Sequence, residues 1–132
     1  GLTDRALVSS TYLESMDRLG ELAPGLRRGW SIPRARRDYT KSLLAPGAYV
    51  LMRVIRAGLP RRAASMVRAG RFEAVMAHWL LVSPRLVKSV RDAGGEIYVW
   101  TVDDGRRIER MEALGVDGVI TNDPRLFAPR PA

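Results

Sequence analysis

Residues 96–124 read EIYVWTVDDGRRIERMEALGVDGVITNDP, and this stretch decides the fold. Ile97, Tyr98, Val99, Trp100, Thr101 and Val102 are β-branched or aromatic, the composition of a buried strand. Asp103 and Asp104 follow, and the carboxylate of either is able to cap a helix by accepting a backbone N–H. Ile108, Met111 and Leu114 then recur at spacings of three, a helical stripe over 106–114. Gly115 ends that helix, because glycine enters the left-handed region cheaply. Residues 116–121 form a second short apolar strand, closed by the turn residues Asn122, Asp123 and Pro124. Strand, helix and strand with so little slack predict a parallel βαβ crossover.

The same grammar extends backwards. Residues 5–10 read as a strand, and Thr11 with Glu14 has the T-x-x-E spacing of a capping box. The helix that follows places Leu13, Met16, Leu19 and Leu22 on one face and stops at Pro24-Gly25. Residues 26–32 read as another strand, with Trp30 expected to pack in the core. Residues 72–81 make a strand that runs into a loop. Ser83-Pro84 is an N-cap followed by proline in the first turn, and Gly94-Gly95 closes that helix. Five candidate strands near Leu7, Leu26, Val75, Val99 and Val119, separated by helices, predict an α/β domain with a parallel sheet.

Residues 31–70 exceed an ordinary strand-to-strand connection. A helix is expected to start near Asp38 or at Pro46, to carry Tyr49, Val50, Leu51, Met52, Val54, Ile55 and Leu59, and to end at Gly58–Pro60. A second helix is expected over 61–69. Charge is concentrated here: residues 27–71 hold 12 basic residues and one acid, a net +11, whereas the rest of the chain carries −3. A solvated surface explains such a face, and so does contact with an anionic membrane, a phosphate-bearing substrate or nucleic acid. Nucleic acid is the weakest of these, since no binding motif is present and aromatic residues do not interleave with the arginines.

With 132 residues, one domain spanning 1–132 is expected. There are no cysteines, which excludes disulfides and thiolate metal sites. No run of about 20 apolar residues is present. The start at Gly1, without a basic-then-apolar leader, suggests a fragment, a processed product or a cloned piece. A cytoplasmic or peripheral-membrane location is favoured.

V-W-T-V-D over 99–103 and G-V-D-G-V-I-T-N-D-P over 115–124 together resemble the C-terminal end of the glycerophosphodiester phosphodiesterase family. That family pairs a V-W-T-V-N segment with a G-V-D-G-I-I-T-D-x-P segment. The resemblance implies a (β/α)₈ barrel, which takes roughly 250 residues. The five strands then map to its fourth through eighth, making this chain the C-terminal half of a TIM-type barrel with a basic helical insertion near 31–70.

The resemblance also implies an activity: hydrolysis of glycerophosphodiester substrates with release of an alcohol, assisted by a divalent cation (Mg or Ca) and an acid/base pair. The family's H-R-G and E-x-D motifs are absent, so no catalytic residue and no metal ligand is assigned to this chain. Barrel enzymes place functional groups at the C-terminal ends of strands. That rule nominates Ser9, Ser10, His78, Thr101, Asp103, Thr121, Asn122 and Asp123, and the family's tryptophan adds Trp100. The substrate-binding candidates are Trp100, Ser10 and His78. Asp103 stands where the family has asparagine, and Thr11 where it has an aromatic residue. The resemblance therefore predicts a chain inactive alone, whose barrel is completed by an N-terminal half or by a second copy. The alternative is a non-catalytic half-barrel that holds anionic lipid surfaces through its Arg-rich segment.

Overall fold

The computed structural model describes residues 3–33 and 45–127. Five parallel strands form one sheet: β1 (Leu7–Ser10), β2 (Arg27–Ile32), β3 (Ala74–His78), β4 (Glu96–Trp100) and β5 (Gly118–Val119). Their order across the sheet is their order in the chain. Between them run α1 (Leu13–Leu22), α2 (Ala45–Arg68), α3 (Pro84–Asp92) and α4 (Gly105–Ala113). Sequential parallel strands joined by crossovers of one hand put every helix on one side of the sheet. That is the winding of a barrel segment, not of a doubly wound sheet.

The register shows the consequence. Trp30, Val75 and Ile97 lie side by side, as do Ile32, Ala77 and Val99, and all six are buried. The helices supply Met16, Leu59, Ala63, Val67, Leu86, Val87, Val90, Ile108 and Met111 to the same core. Trp30 packs as expected, with its ring stacked on Phe72 at 6.3 Å between centroids. The alternate positions Met76, His78, Tyr98 and Trp100 face the other way and are only half-buried. No described element covers that second face.

Local signals explain most boundaries. Ser83 caps α3, its Oγ accepting the Leu86 N–H at 3.1 Å, with Pro84 in the first turn. Of the two candidate caps for α4, Asp104 is the one used and accepts the Arg107 N–H at 2.8 Å. Gly115 has φ +81°, the left-handed conformation that ends α4.

Three expectations need correction. The Thr11–Glu14 capping box does not form. The N-cap of α1 is Tyr12, without a side-chain cap bond, and its N–H is taken by Ser10 Oγ at 3.1 Å. Glu14 therefore falls one position too early to reach back. Gly58 and Pro60 do not end a helix either. Helix α2 runs unbroken from Ala45 to Arg68 with Pro60 inside it. Proline there removes one backbone hydrogen bond and costs about 3 kcal/mol locally. Burial of Leu59, Ala63, Ala64 and Val67 on the sheet and on α3 offsets that cost. The alternative helix start at Asp38 lies outside the described residues. Strand β5 is shorter than the expected 116–121, although flanking bonds (Asp117 N to Ile97 O and Ile120 N to Val99 O, both 2.8 Å) continue its attachment to β4.

Candidate active site

Parallel register sets His78 directly beside Trp100 on the open face, at the C-terminal ends of β3 and β4. Their rings meet edge to face, with centroids 5.4 Å apart and planes at 85°. Trp100 Nε1 donates to the Met76 carbonyl at 2.9 Å, which fixes the indole as a wall and leaves it no free N–H. His78 Nδ1 accepts the Leu80 N–H at 3.3 Å, so in the neutral ring the proton resides on Nε2, a hydrogen-bond donor. The Trp79 ring also lies near His78, with centroids 5.5 Å apart and planes tilted by 34°, and the Arg107 guanidinium lies 3.8 Å from the Trp79 ring centroid.

One strand further on, Asp103 ties the end of β4 to the end of β5. Its Oδ1 accepts from Thr121 Oγ1 and from the Asn122 N–H, both at 2.8 Å, and its Oδ2 accepts from Asn122 Nδ2 at 2.9 Å. The Asn122 backbone N–H is the chief reason that the Asp103 carboxyl sits below the usual carboxylate range, helped by the Asn122 amide and the Thr121 hydroxyl. Asp123 is likewise held low, in its case by the Arg125 guanidinium at 2.8 and 2.9 Å. Both carboxylates at this end are thus already engaged by neighbours.

Among the nominated residues, the structure brings His78 and Trp100 together and gathers Asp103, Thr121 and Asn122 into one clasp. Ser10 stands apart from both. It pairs in register with Trp30, which is on the helix-covered side, and its hydroxyl serves the turn after β1. Ser9 is the β1 serine that shares the open face with Gly29.

The sequence reading missed a second polar group deeper on that face. Arg27 Nη2 bonds Glu96 Oε2 at 2.5 Å, and the Tyr98 hydroxyl donates to the same oxygen at 2.9 Å. That hydrogen bond to Glu96 is the first cause of a raised Tyr98 pKa. The alternation of Glu96, Tyr98 and Trp100 with Ile97 and Val99 was the available signal. Trp79 and Arg107 were also missed, and only the His78-Trp79 juxtaposition at a strand end hinted at them.

A divalent cation needs several oxygen or imidazole ligands that converge. Among the described residues, no group of three or more His, Cys, Asp or Glu is placed to hold one. The described residues do not fit a resident metal.

The model of the glycerophosphoryl diester phosphodiesterase family matches residues 2–126. The chain belongs to this family. Among curated relatives, a glycerophosphodiester phosphodiesterase of Arabidopsis thaliana is 49% identical over 47 residues, which are 36% of this chain and 14% of that protein. A glycerophosphodiester phosphodiesterase of Caldanaerobacter subterraneus is 41% identical over 56 residues, 41% of this chain and 23% of the relative. Among solved structures, a glycerophosphoryl diester phosphodiesterase from Silicibacter pomeroyi matches with TM-score 0.66 and 26% identity, over 92% of this chain and 36% of its own. A phosphodiesterase of Oleispira antarctica, solved in complex with its product sn-glycerol-3-phosphate, matches in fold with TM-score 0.60 and 16% identity, over 90% of this chain and 38% of its own. The chain therefore spans well under half the length of the family members it matches. The five-stranded sheet is part of a TIM-type barrel.

Proposed function

We propose that this chain is a substrate-lining part of a barrel that hydrolyses glycerophosphodiesters. The observation that carries the reading is the His78–Trp100 pair, set edge to face at the C-terminal ends of adjacent strands on the open face. That end of a barrel is where substrates bind. In this reading Trp100 forms an apolar wall against the carbon side of the glycerol moiety, since its N–H is already committed. The His78 ring stands beside Trp100 at the next strand end and presents an imidazole toward the polar end of the substrate. Ser10 contributes through the turn after β1, which its hydroxyl closes. The clasp made by Asp103 holds the β5 end in place beside them.

The family implies a divalent cation, and its ligands then come from the complementary part of the barrel, as do the proton-transfer groups. The open face needs that complement, supplied either by an N-terminal barrel half or by a second copy of this chain. Alone, the chain is expected to show no metal-dependent turnover of a glycerophosphodiester such as glycerophosphocholine.

The test uses the single histidine as a reporter. On titration with sn-glycerol 3-phosphate, the His78 imidazole and Trp100 indole NMR signals are expected to shift together and to saturate. Trp100→Ala removes the response at His78. Signals that stay fixed while other positions respond, or a Trp100→Ala variant that responds unchanged, would sink the assignment of these two residues.

A further inference from the structure

The two ends of α2 have opposite surroundings. Its C-terminal half buries Leu59, Ala63, Ala64 and Val67, whereas its N-terminal half leaves Val50, Leu51 and Val54 59–65% exposed. Helical periodicity puts Val50, Val54, Arg61 and Arg68 along one outward stripe, with Leu51 and Arg53 on its flanks. The 24-residue helix holds five arginines and no acid. Two of them are partly engaged: Arg56 Nη2 donates to the Val82 carbonyl at 2.9 Å, and the Arg62 guanidinium lies 5.1 Å from the Trp30 ring centroid. No ion pair among the described residues takes up Arg53, Arg61 or Arg68.

The placement of this stripe matters. Val54 and Ile55 line a cleft of about 770 Å³ together with Thr11, Tyr12 and Pro33, which follow the C-terminal ends of β1 and β2. The apolar half of α2 therefore stands at the rim that holds the candidate site. Exposed Tyr12 adds a further apolar surface there.

We propose that the outward stripe of α2 docks on an anionic lipid bilayer. Val50, Leu51 and Val54 enter the boundary between headgroups and acyl chains, and Arg53, Arg61 and Arg68 pair with acidic headgroups. The binding is peripheral, since no described helix is long and apolar enough to cross a membrane. A cationic helix whose Arg53, Arg61 and Arg68 meet no acid among the described residues, with an apolar end, fits a lipid surface better than it fits a second copy of itself, because two such helices would repel. The docking stands without the hydrolytic reading. Joined to it, the docking brings the strand ends close to substrates carried at a membrane surface.

Co-sedimentation with vesicles tests this, using the whole chain. Vesicles of phosphatidylcholine with about 30% phosphatidylglycerol are expected to bind at least roughly tenfold more tightly than phosphatidylcholine alone. The binding should fade as salt rises from about 0.05 to 0.5 M, where screening shortens to a few ångströms. Val50→Ser/Val54→Ser and Arg53→Glu/Arg61→Glu/Arg68→Glu should each lose it, with helix content unchanged by circular dichroism. Ile120→Ser, on the far edge of the sheet, should keep it. Equal binding to both vesicle types, no binding to either, or α2 variants that bind like the parent would overturn the proposal. So would an association of the chain with itself that Val50→Ser/Val54→Ser abolishes, since a second copy would then be the occupant.

Discussion

The two faces of one sheet, made by alternate residues of the same strands, differ in almost every physical respect. On the helix-covered face, Ile97, Val99 and Ala77 are fully buried and Val75 nearly so. On the open face, Glu96, Tyr98, Trp100, Met76 and His78 are half-buried, and polar groups bond to one another across it. The covered face is a largely apolar layer packed under the helices. The open face is covered by no described element. Stability is therefore expected to reside in the first and recognition in the second, and substitutions that pair the two faces measure how far that separation holds.

The largest contrast is between two aromatic deletions. Phe72 is 1% exposed and stacks on Trp30, so Phe72→Ala is expected to cost about 3–5 kcal/mol in a denaturant titration. Trp100→Ala removes a ring that is only half-buried, and a smaller loss of about 1–2 kcal/mol is expected from its smaller buried area and its bond to the Met76 carbonyl. Equal losses would break the comparison. They would mean that the open face is covered in solution, as a second copy of the chain would cover it, and sedimentation at rising concentration would then show the association.

The next contrast uses two glycines with equally tight surroundings. A Cβ at Gly95 would lie 2.9 Å from Val67 Cγ1 and 3.2 Å from Val90 Cγ1, in the packed layer between α2, α3 and β4. A Cβ at Gly118 would lie 2.8 Å from the Tyr98 ring on the open face. Gly95→Ala is expected to cost about 1–3 kcal/mol, because neither valine has anywhere to go. Gly118→Ala is expected to cost less, because the Tyr98 ring is able to swing outward at the expense of its bond to Glu96. That bond is worth on the order of 1 kcal/mol. Thermal melts of the two variants side by side read the difference.

The covered face was the legible one. Ile97, Val99 and Val75 sit among β-branched neighbours, and helices of fixed period lie between the strands, so the α/β class with parallel strands followed from local pattern and the barrel order from the family resemblance. Ser83 and Gly115 marked helix ends for the same local reason. What failed was decided at a distance. Pro60 reads as a helix stop, yet α2 continues through it because Leu59 and Ala63 are buried against elements remote in sequence. Thr11 and Glu14 have capping-box spacing, but Ser10 already occupies the Tyr12 N–H and shifts the helix start. The site was partly legible. His78 was nominated by its strand end and Trp100 by the resemblance to the family's tryptophan, and the parallel register that sets them side by side is a property of the whole sheet. The Arg27–Glu96–Tyr98 group escaped because its partners are 69 residues apart in the chain.

The smallest expected effect tests whether the rim belongs with the stable face or with the open one. Asp103→Asn restores the residue that the family's V-W-T-V-N segment carries here. The carboxylate accepts bonds from Thr121 Oγ1, the Asn122 N–H and Asn122 Nδ2. An asparagine oxygen retains the first two acceptor positions. Its amide meets the Asn122 side chain as a like donor, until that amide turns to present oxygen. The folded-state pKa of Asp103 is depressed, so its stabilising contribution is present above the ordinary carboxylate pKa of about 3.9 and is lost as pH falls through the lower folded value. Asparagine does not titrate. The variant should therefore melt slightly below the parent at neutral pH, and the gap should narrow in acid once the parent's carboxylate is protonated. A gap that persists unchanged in acid would assign the clasp to packing rather than to charge. The rim would then belong with the covered face, and the division drawn between the two faces would have to move outward to the strand ends themselves.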